Sequence, residues 1–203
     1  MTAKIDLKKQ HKALFAPKKT PEIVVVPPLA YLMIDGRGAP ESDAFAEAVA
    51  ALYSAAYTLK FLVKGGGRTD FAVAPLSARW WADDWDAFVA GRRADWQWTA
   101  MIMQPGHVAA ADLATTLDEL ARKKKRTAAH DRLRIETLEE GPCVQVLHLG
   151  PYSEEGPAIA AMHAYAEAQG YALTGKHHEV YLSDPRRSAP EKLKTVLRQQ
   201  LKR

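Results

Sequence analysis

The clearest pattern of hydrophobic and polar positions lies in residues 140–185. It predicts a strand, a Gly-Pro-Tyr turn, a helix and a final strand that ends before a proline. In that final strand Val180 and Leu182 alternate with Glu179 and Tyr181, so the two pairs lie on opposite faces. The apolar pair predicts a core on one face, and we expect Glu179 to point away from that core.

Similar patterns predict the other elements of the chain. Strands are expected at residues 24–26, 29–34, 71–76, 96–103, 133–138, 143–149, 171–173 and 176–182. Helices are expected after a cap at Ser42 or Asp43, over 113–120 up to the basic run ARKKKR, and over 159–170. A shared face of Trp81, Trp85 and Phe88 predicts a further short amphipathic helix, and residues 189–203 read as a basic helix or tail.

A weak internal repeat appears when Gly38 is aligned with Gly150. Each glycine follows two strands and precedes a helix and further strands that end near a proline. We therefore predict an α+β fold in which duplicated strand–helix–strand–strand units form an antiparallel sheet with a central ligand cleft. The two units are expected at about 21–104 and 132–185, within one domain of residues 21–190. A basic N-terminal arm of residues 1–20 and a basic C-terminal helix or tail of residues 191–203 flank this domain.

Composition narrows the classes of function. The chain has 203 residues, 47% of them hydrophobic, which suffices for a sizeable core. The net charge of +4 comes from the chain ends and residues 122–126 rather than from a basic groove with aromatics, so a nucleic-acid partner is not expected. The single cysteine, Cys143, fits a reducing cytosol. No apolar run is expected to span a membrane and the N-terminus lacks the apolar core of a signal peptide, so we expect a cytoplasmic protein.

The residues that could take part in binding or catalysis lie in the same segment, residues 140–185. Glu179 is the expected polar anchor of a small-molecule site, and Tyr181 on the same face either contacts the ligand or simply packs in the strand. After the Gly-Pro turn, Tyr152 and Glu155 could extend the site. Glu155 would then share acid and base work with Glu179, whereas the alternative is that Glu154 or Glu155 caps the next helix.

The aromatic residues suggest the wall of such a site. Trp98 and Tyr57 are the best candidates, with Met101 supplying an adaptable surface. A carboxylate beside aromatic rings suits a flat or cationic organic ligand. No metal and no cofactor are expected, because His177 and His178 are adjacent on a strand and point to opposite faces, and no nucleotide-binding motif is present.

Four segments taken together resemble the GyrI-like small-molecule-binding family, in particular its stand-alone members: PLSARWWADD, WQWTAMIMQP, LHLGPYSEE and HHEVYLSDP. The resemblance implies the duplicated fold with its cleft, Glu179 as the pocket glutamate, and Trp98 and Tyr57 as aromatic walls. It implies less directly that Tyr152 and Glu155 border the cleft. One departure is that this chain has Ser77 and Arg79 where relatives often read PLEGLWW.

Three functions are compatible with this resemblance. The first is a binder of small amphipathic aromatic or cationic molecules. The second is a hydrolase that detoxifies DNA-alkylating natural products by opening their cyclopropane ring. The third is a protein-interaction role such as modulation of gyrase.

Overall fold

The structure is a computed structural model that describes residues 4–83 and 92–203. The described residues form five α-helices and an open antiparallel sheet of eight strands, so the predicted α+β class is confirmed. The helices are α1 (Leu7–Gln10), α2 (Lys12–Phe15), α3 (Asp43–Gly65), α4 (Ala110–Arg122) and α5 (Gly156–Ala168). The strands are β1 (Glu22–Val26), β2 (Leu29–Arg37), β3 (Leu76–Trp81), β4 (Gln97–Met103), β5 (Arg134–Leu138), β6 (Gly141–Leu149), β7 (Ala172–Tyr181) and β8 (Lys194–Lys202).

The chain divides into two compact units. The first comprises Met1–Gln10, Leu29–Leu76 and Trp80–Leu138, and the second His11–Pro28, Ser77–Arg79 and Glu139–Arg203. In the first unit β2 pairs with both β4 and β5. In the second unit β6 pairs with β1 and β8, and β8 also pairs with β7. Strands β1 and β2 are consecutive in the chain but belong to different units.

In the first unit, α3 supplies much of the core. The Ser42 hydroxyl caps it by accepting a hydrogen bond from the Phe45 amide at 3.3 Å, as one of the two predicted caps. Its 23 residues are long and apolar enough to span a membrane, contrary to the sequence-based expectation. The helix packs on β2, β4 and α4, and its buried small and aliphatic side chains recur at helical spacing, so core packing accounts for its apolar character.

In the second unit, α5 covers one face of the strands. Met162 and Ala166 of α5 pack with Val146 on β6 and with Leu197 and Leu201 on β8. The opposite face is covered in part by α2, whose last residues include the buried Leu14 and Phe15. Both faces of β8 are therefore buried, which explains why its apolar residues appear at both odd and even positions.

Three element predictions were wrong. Residues 189–203 form a one-turn 3₁₀ helix and then strand β8, not a helix or tail. Phe71 is buried beside Leu59 and Val63 and forms only an isolated bridge with Ile5, and the regular strand begins at Leu76 instead. Trp81 lies in that strand rather than in the predicted amphipathic helix, whose Trp85 and Phe88 are outside the described residues.

Candidate functional site

Strand β7 presents three polar side chains on one face. His177, Glu179 and Tyr181 alternate along the strand, and β8 places Leu197 opposite Glu179 and Thr195 opposite Tyr181. Since Leu197 belongs to the core under α5, Glu179 lies on the face that this helix covers. Glu179 does point away from the core that Val180 faces, but its own face is buried as well, because this unit of the sheet is covered on both sides.

The two oxygens of Glu179 have different neighbours. The Tyr181 hydroxyl donates a hydrogen bond to Oε2 at 2.7 Å, and Nε2 of His177 lies 3.4 Å from Oε1. The side chain of Glu179 is only 15% exposed and that of His177 only 11%. The ring of Tyr152 meets that of Tyr181 edge to face, with centroids 5.6 Å apart. These contacts hold Glu179 as a largely enclosed acceptor beside two phenol rings.

Glu155 is the second carboxyl group of this region. It directly precedes α5, yet its side chain makes no capping hydrogen bond, so the capping alternative is not supported for it. The residue is 5% exposed, and its Oε1 has no hydrogen-bond partner among the described residues. We refer to Glu155, Glu179, Tyr181 and Tyr152 as the acidic cluster.

The surroundings of Glu155 favour its protonated form. Burial raises its pKa to about 8, and the negative charge of Glu179 contributes in the same direction. The Thr195 hydroxyl opposes the increase in part, although no hydrogen bond of standard geometry joins the two groups. At neutral pH the Glu155 carboxyl therefore carries a proton, which it can donate to a neighbouring acceptor.

The opposite face of the same strands carries a buried polar network. Nδ1 of His178 lies 3.0 and 3.1 Å from the two oxygens of Glu140, and Nη1 of Arg198 lies 3.7 Å from Oε2 of Glu140. Arg198 also donates to the Leu14 carbonyl at 2.9 Å and to Oε1 of Gln145 at 3.1 Å, which attaches α2 to the sheet.

Two pKa values in this network lie below their ordinary values, for different reasons. Although burial acts in the opposite direction, the charge of His178, its hydrogen bond and the cations Arg198 and Arg79 lower the pKa of Glu140 to about 2. Burial lowers the pKa of His178, while Glu140 acts against that decrease. Arg79, a departure from the family pattern, is thus one of the cations near Glu140.

The predicted aromatic wall residues lie in the first unit. Trp98 is completely buried, meets Phe45 edge to face at 5.1 Å, and pairs across the strands with Gly36. Met101 is also fully buried, but it lies on the opposite face of β4 from Trp98 because three positions separate them. Tyr57 on α3 is 49% exposed and stacks on Tyr53. Contacts within the unit account for the burial of Trp98, and its role in ligand binding stays a prediction.

Two members of the site region were missed from sequence. His177 was considered only as a metal ligand, although its spacing of two from Glu179 already places both on one face. Thr195 was not identified as a site residue, because its segment, residues 189–203, was predicted as a helix or tail. Among the described residues no group of three metal-ligating side chains comes together.

Comparison with solved structures identifies the class of the fold. The chain superposes on the C-terminal domain of EcmrR with a TM-score of 0.58 at 9% identity, covering 91% of this chain and 98% of that one. The two chains therefore share an α+β architecture. No curated protein sequence matches the chain significantly.

Closer relatives give the family. An uncharacterized conserved protein from Listeria innocua is 42% identical with a TM-score of 0.91, and a hydrolase from the same organism is 40% identical with a TM-score of 0.87. In both comparisons 98% of this chain and 100% of the other is covered. The model of the GyrI-like small molecule binding domain matches residues 19–201, and the chain belongs to this family.

Proposed function

We propose that the acidic cluster binds small aromatic organic cations. The observation that carries the proposal is the pair of carboxyl groups, Glu155 and Glu179, which are largely shielded from water beside the rings of Tyr152 and Tyr181. A shielded carboxylate attracts a cation more strongly than an exposed one, because little solvent screens the charge. Aromatic ring faces add attraction for the same ligands.

The protonation of Glu155 fits a ligand with one positive charge. At neutral pH the pair carries one negative charge, since burial and Glu179 keep the Glu155 carboxyl neutral. A monocation can then be neutralised without leaving a second carboxylate desolvated and unpaired. The partnerless Oε1 of Glu155 is also available for a hydrogen bond to the ligand.

The experiment compares berberine, an aromatic monocation, with its uncharged analogue oxyberberine. Removing Glu179 alone lowers the pKa of Glu155, so the decisive protein is the double variant Glu155→Gln/Glu179→Gln. We expect it to bind berberine at least about tenfold more weakly while its affinity for oxyberberine stays the same. Glu154→Gln, an exposed neighbour, is the matched control. Wild-type affinity for berberine in the double variant would contradict the proposal.

A second candidate function is hydrolysis. Two observations favour it: a protonated carboxyl lies near a carboxylate acceptor, and a protein 40% identical over its full length is described as a hydrolase. In this proposal Glu179 takes a proton from a water molecule that attacks a cyclopropane carbon. The ring bond breaks toward a conjugated carbonyl, whose oxygen receives the proton of Glu155. The net reaction adds one water molecule to the strained substrate.

The test of hydrolysis uses a cyclopropane-bearing DNA alkylator at a concentration equal to that of the protein. Mass spectrometry should detect the product with one added water, and both Glu155→Gln and Glu179→Gln should slow its formation by about 100-fold or more. Glu154→Gln again serves as the control. If the alkylator binds but no ring-opened product forms, the hydrolase function is excluded and the binding function is retained.

A further inference from the structure

Helix α3 carries a second row of side chains on the side that is turned away from the core. Its members recur at alternating spacings of four and three residues, which is the heptad seam of a helix that packs along another helix. The row consists of Asp43, Glu47, Ala50, Ser54, Tyr57, Phe61 and Lys64. The buried residues of α3, such as Leu52 and Leu59, lie on the opposite side of the helix.

The outer row is largely exposed, although its middle is apolar. Phe61 is 61% exposed and Tyr57 49%, and Ala50 is exposed as well. Only 44% of an apolar 18-residue window of the helix is buried. Two large rings about one helical turn apart, beside small side chains, form a contiguous patch of the kind that marks an interaction surface.

We propose that this row is the interface of a homodimer, in which α3 packs antiparallel on α3 of a second copy of the chain. Closed dimers with a two-fold axis use the same patch on both copies, so the patch must be complementary to itself. An axis that crosses the seam midway along α3, level with Ala55 and Ala56, meets this condition. It brings together three pairs, each formed twice: Glu47 with Lys64, Ala50 with Phe61, and Ser54 with Tyr57.

Side-chain size favours this register. The Phe61 ring lies opposite the methyl group of Ala50, and the Tyr57 ring lies opposite the small side chain of Ser54. Large side chains therefore fit beside small ones at each level of the seam, as knobs fit into holes. In this proposal Tyr57, also a candidate for the aromatic wall of the ligand site, belongs to the interface between the two copies.

The charges favour the antiparallel direction. Glu47 is exposed near the start of α3, and Lys64 is 57% exposed near its end. Lys64 lies 3.5 Å from Asp70, but Asp70 also binds Lys60, so the ammonium group of Lys64 can face a second carboxylate. A parallel pair would instead place each of these charges against its own copy. Antiparallel packing also brings the helix ends of opposite dipole charge together.

The first test measures the mass of the full chain by analytical ultracentrifugation. We expect a dimer at about 50 µM, and Glu47→Lys and Lys64→Glu should each weaken it about tenfold, because each reversal creates two like-charge contacts. The double variant Glu47→Lys/Lys64→Glu should regain the wild-type dissociation constant within about threefold. Asp118→Lys, an equal charge change at an exposed position of α4, is the matched control and should dimerise as wild type.

The second test checks the register by disulfide cross-linking. Ala50→Cys chains mixed with Phe61→Cys chains should form a cross-linked dimer on oxidation, whereas neither variant alone should do so. In the antiparallel pair, two cysteines at the same position lie about 16 Å apart along the helix axis, which is beyond the reach of a disulfide. The native Cys143 is buried and does not interfere.

The outcomes decide the proposal clearly. A monomer at about 100 µM overturns it, and the outer row of α3 then belongs to a different partner. A dimer whose double charge variant is no tighter than the single variants also overturns it. Should the charge variants fail to fold, the cross-linking result decides alone, and equal cross-linking of each cysteine variant with itself contradicts the antiparallel register. Berberine affinity should stay at the wild-type value in the charge variants, because α3 contains no member of the acidic cluster, so a failure of the dimer is distinguishable from a failure of the proposed function.

Discussion

Replacing Glu155 with glutamine should stabilise the protein at alkaline pH. The folded state raises the pKa of this carboxyl from 4.5 to about 8, so it holds a proton that the unfolded chain releases. Stability is therefore lost as the pH rises from about 4.5 to about 8, because the unfolded state binds fewer protons over that window. Glutamine is neutral at every pH and removes this loss.

The size of the effect follows from the same shift. One pH unit corresponds to about 1.4 kcal/mol, so a shift from 4.5 to about 8 gives an upper limit of about 5 kcal/mol. Entry of water and relaxation around the ionised carboxylate reduce this limit, and we expect about 2–4 kcal/mol at pH 9. At pH 5 the variant and the wild type should have nearly the same free energy of unfolding.

Urea unfolding at pH 5, 7 and 9 provides the measurement. The difference in unfolding free energy between Glu155→Gln and wild type isolates the titration of Glu155 together with its coupling to Glu179. Glu154→Gln, which removes an exposed carboxylate one position earlier, is the matched control and should show no such increase. If the difference in unfolding free energy between Glu155→Gln and wild type stays constant from pH 5 to pH 9, the conclusion that Glu155 is shielded and protonated is refuted.

Two further predictions concern buried contacts outside the acidic cluster. Gly36→Ala should lower stability by about 1–3 kcal/mol, because the added Cβ would lie 2.2 Å from the buried Trp98 ring; an unchanged melting temperature would show that the ring moves at little cost. Glu140→Gln should destabilise the protein at pH 7 by about 3–5 kcal/mol by leaving Arg198 buried without its anion. Because the pKa of Glu140 is lowered to about 2, the stability that it contributes is present above pH 4.5 and lost as the pH falls toward 2. Acid unfolding of the variant should therefore be flatter than that of wild type over this range, and parallel acid curves would contradict the buried ion network.

Local pattern predicted much of the fold. The Ser42 cap, the helical spacing in α4 and α5, and the alternation around Glu179 are each encoded within a few residues, and the structure shows all of them. Strand β8 could not be predicted in this way. It is buried on both faces, so its apolar residues, Val196, Leu197 and Leu201, satisfy helical spacing as well as a strand does.

The site was predictable only in part, since much of it depends on pairing between distant segments. The spacing of Glu179 and Tyr181 placed both on one face, and their hydrogen bond follows from it. The contact between Glu140 and His178 joins residues 38 positions apart, and no local sequence pattern predicts it. The strand predicted at residues 29–34 continues to Arg37 and includes Gly36, whose missing side chain makes room for Trp98.

The proposed function depends most on a proton that Glu155 retains at neutral pH beside Glu179. Carbon-13 NMR of protein labelled at the glutamate carboxyl carbons measures this directly as the pH is raised. We predict one carboxyl that titrates with a pKa of about 8 and is absent from the spectrum of Glu155→Gln. A titration in which no glutamate carboxyl has a pKa above about 5 would contradict the protonated Glu155.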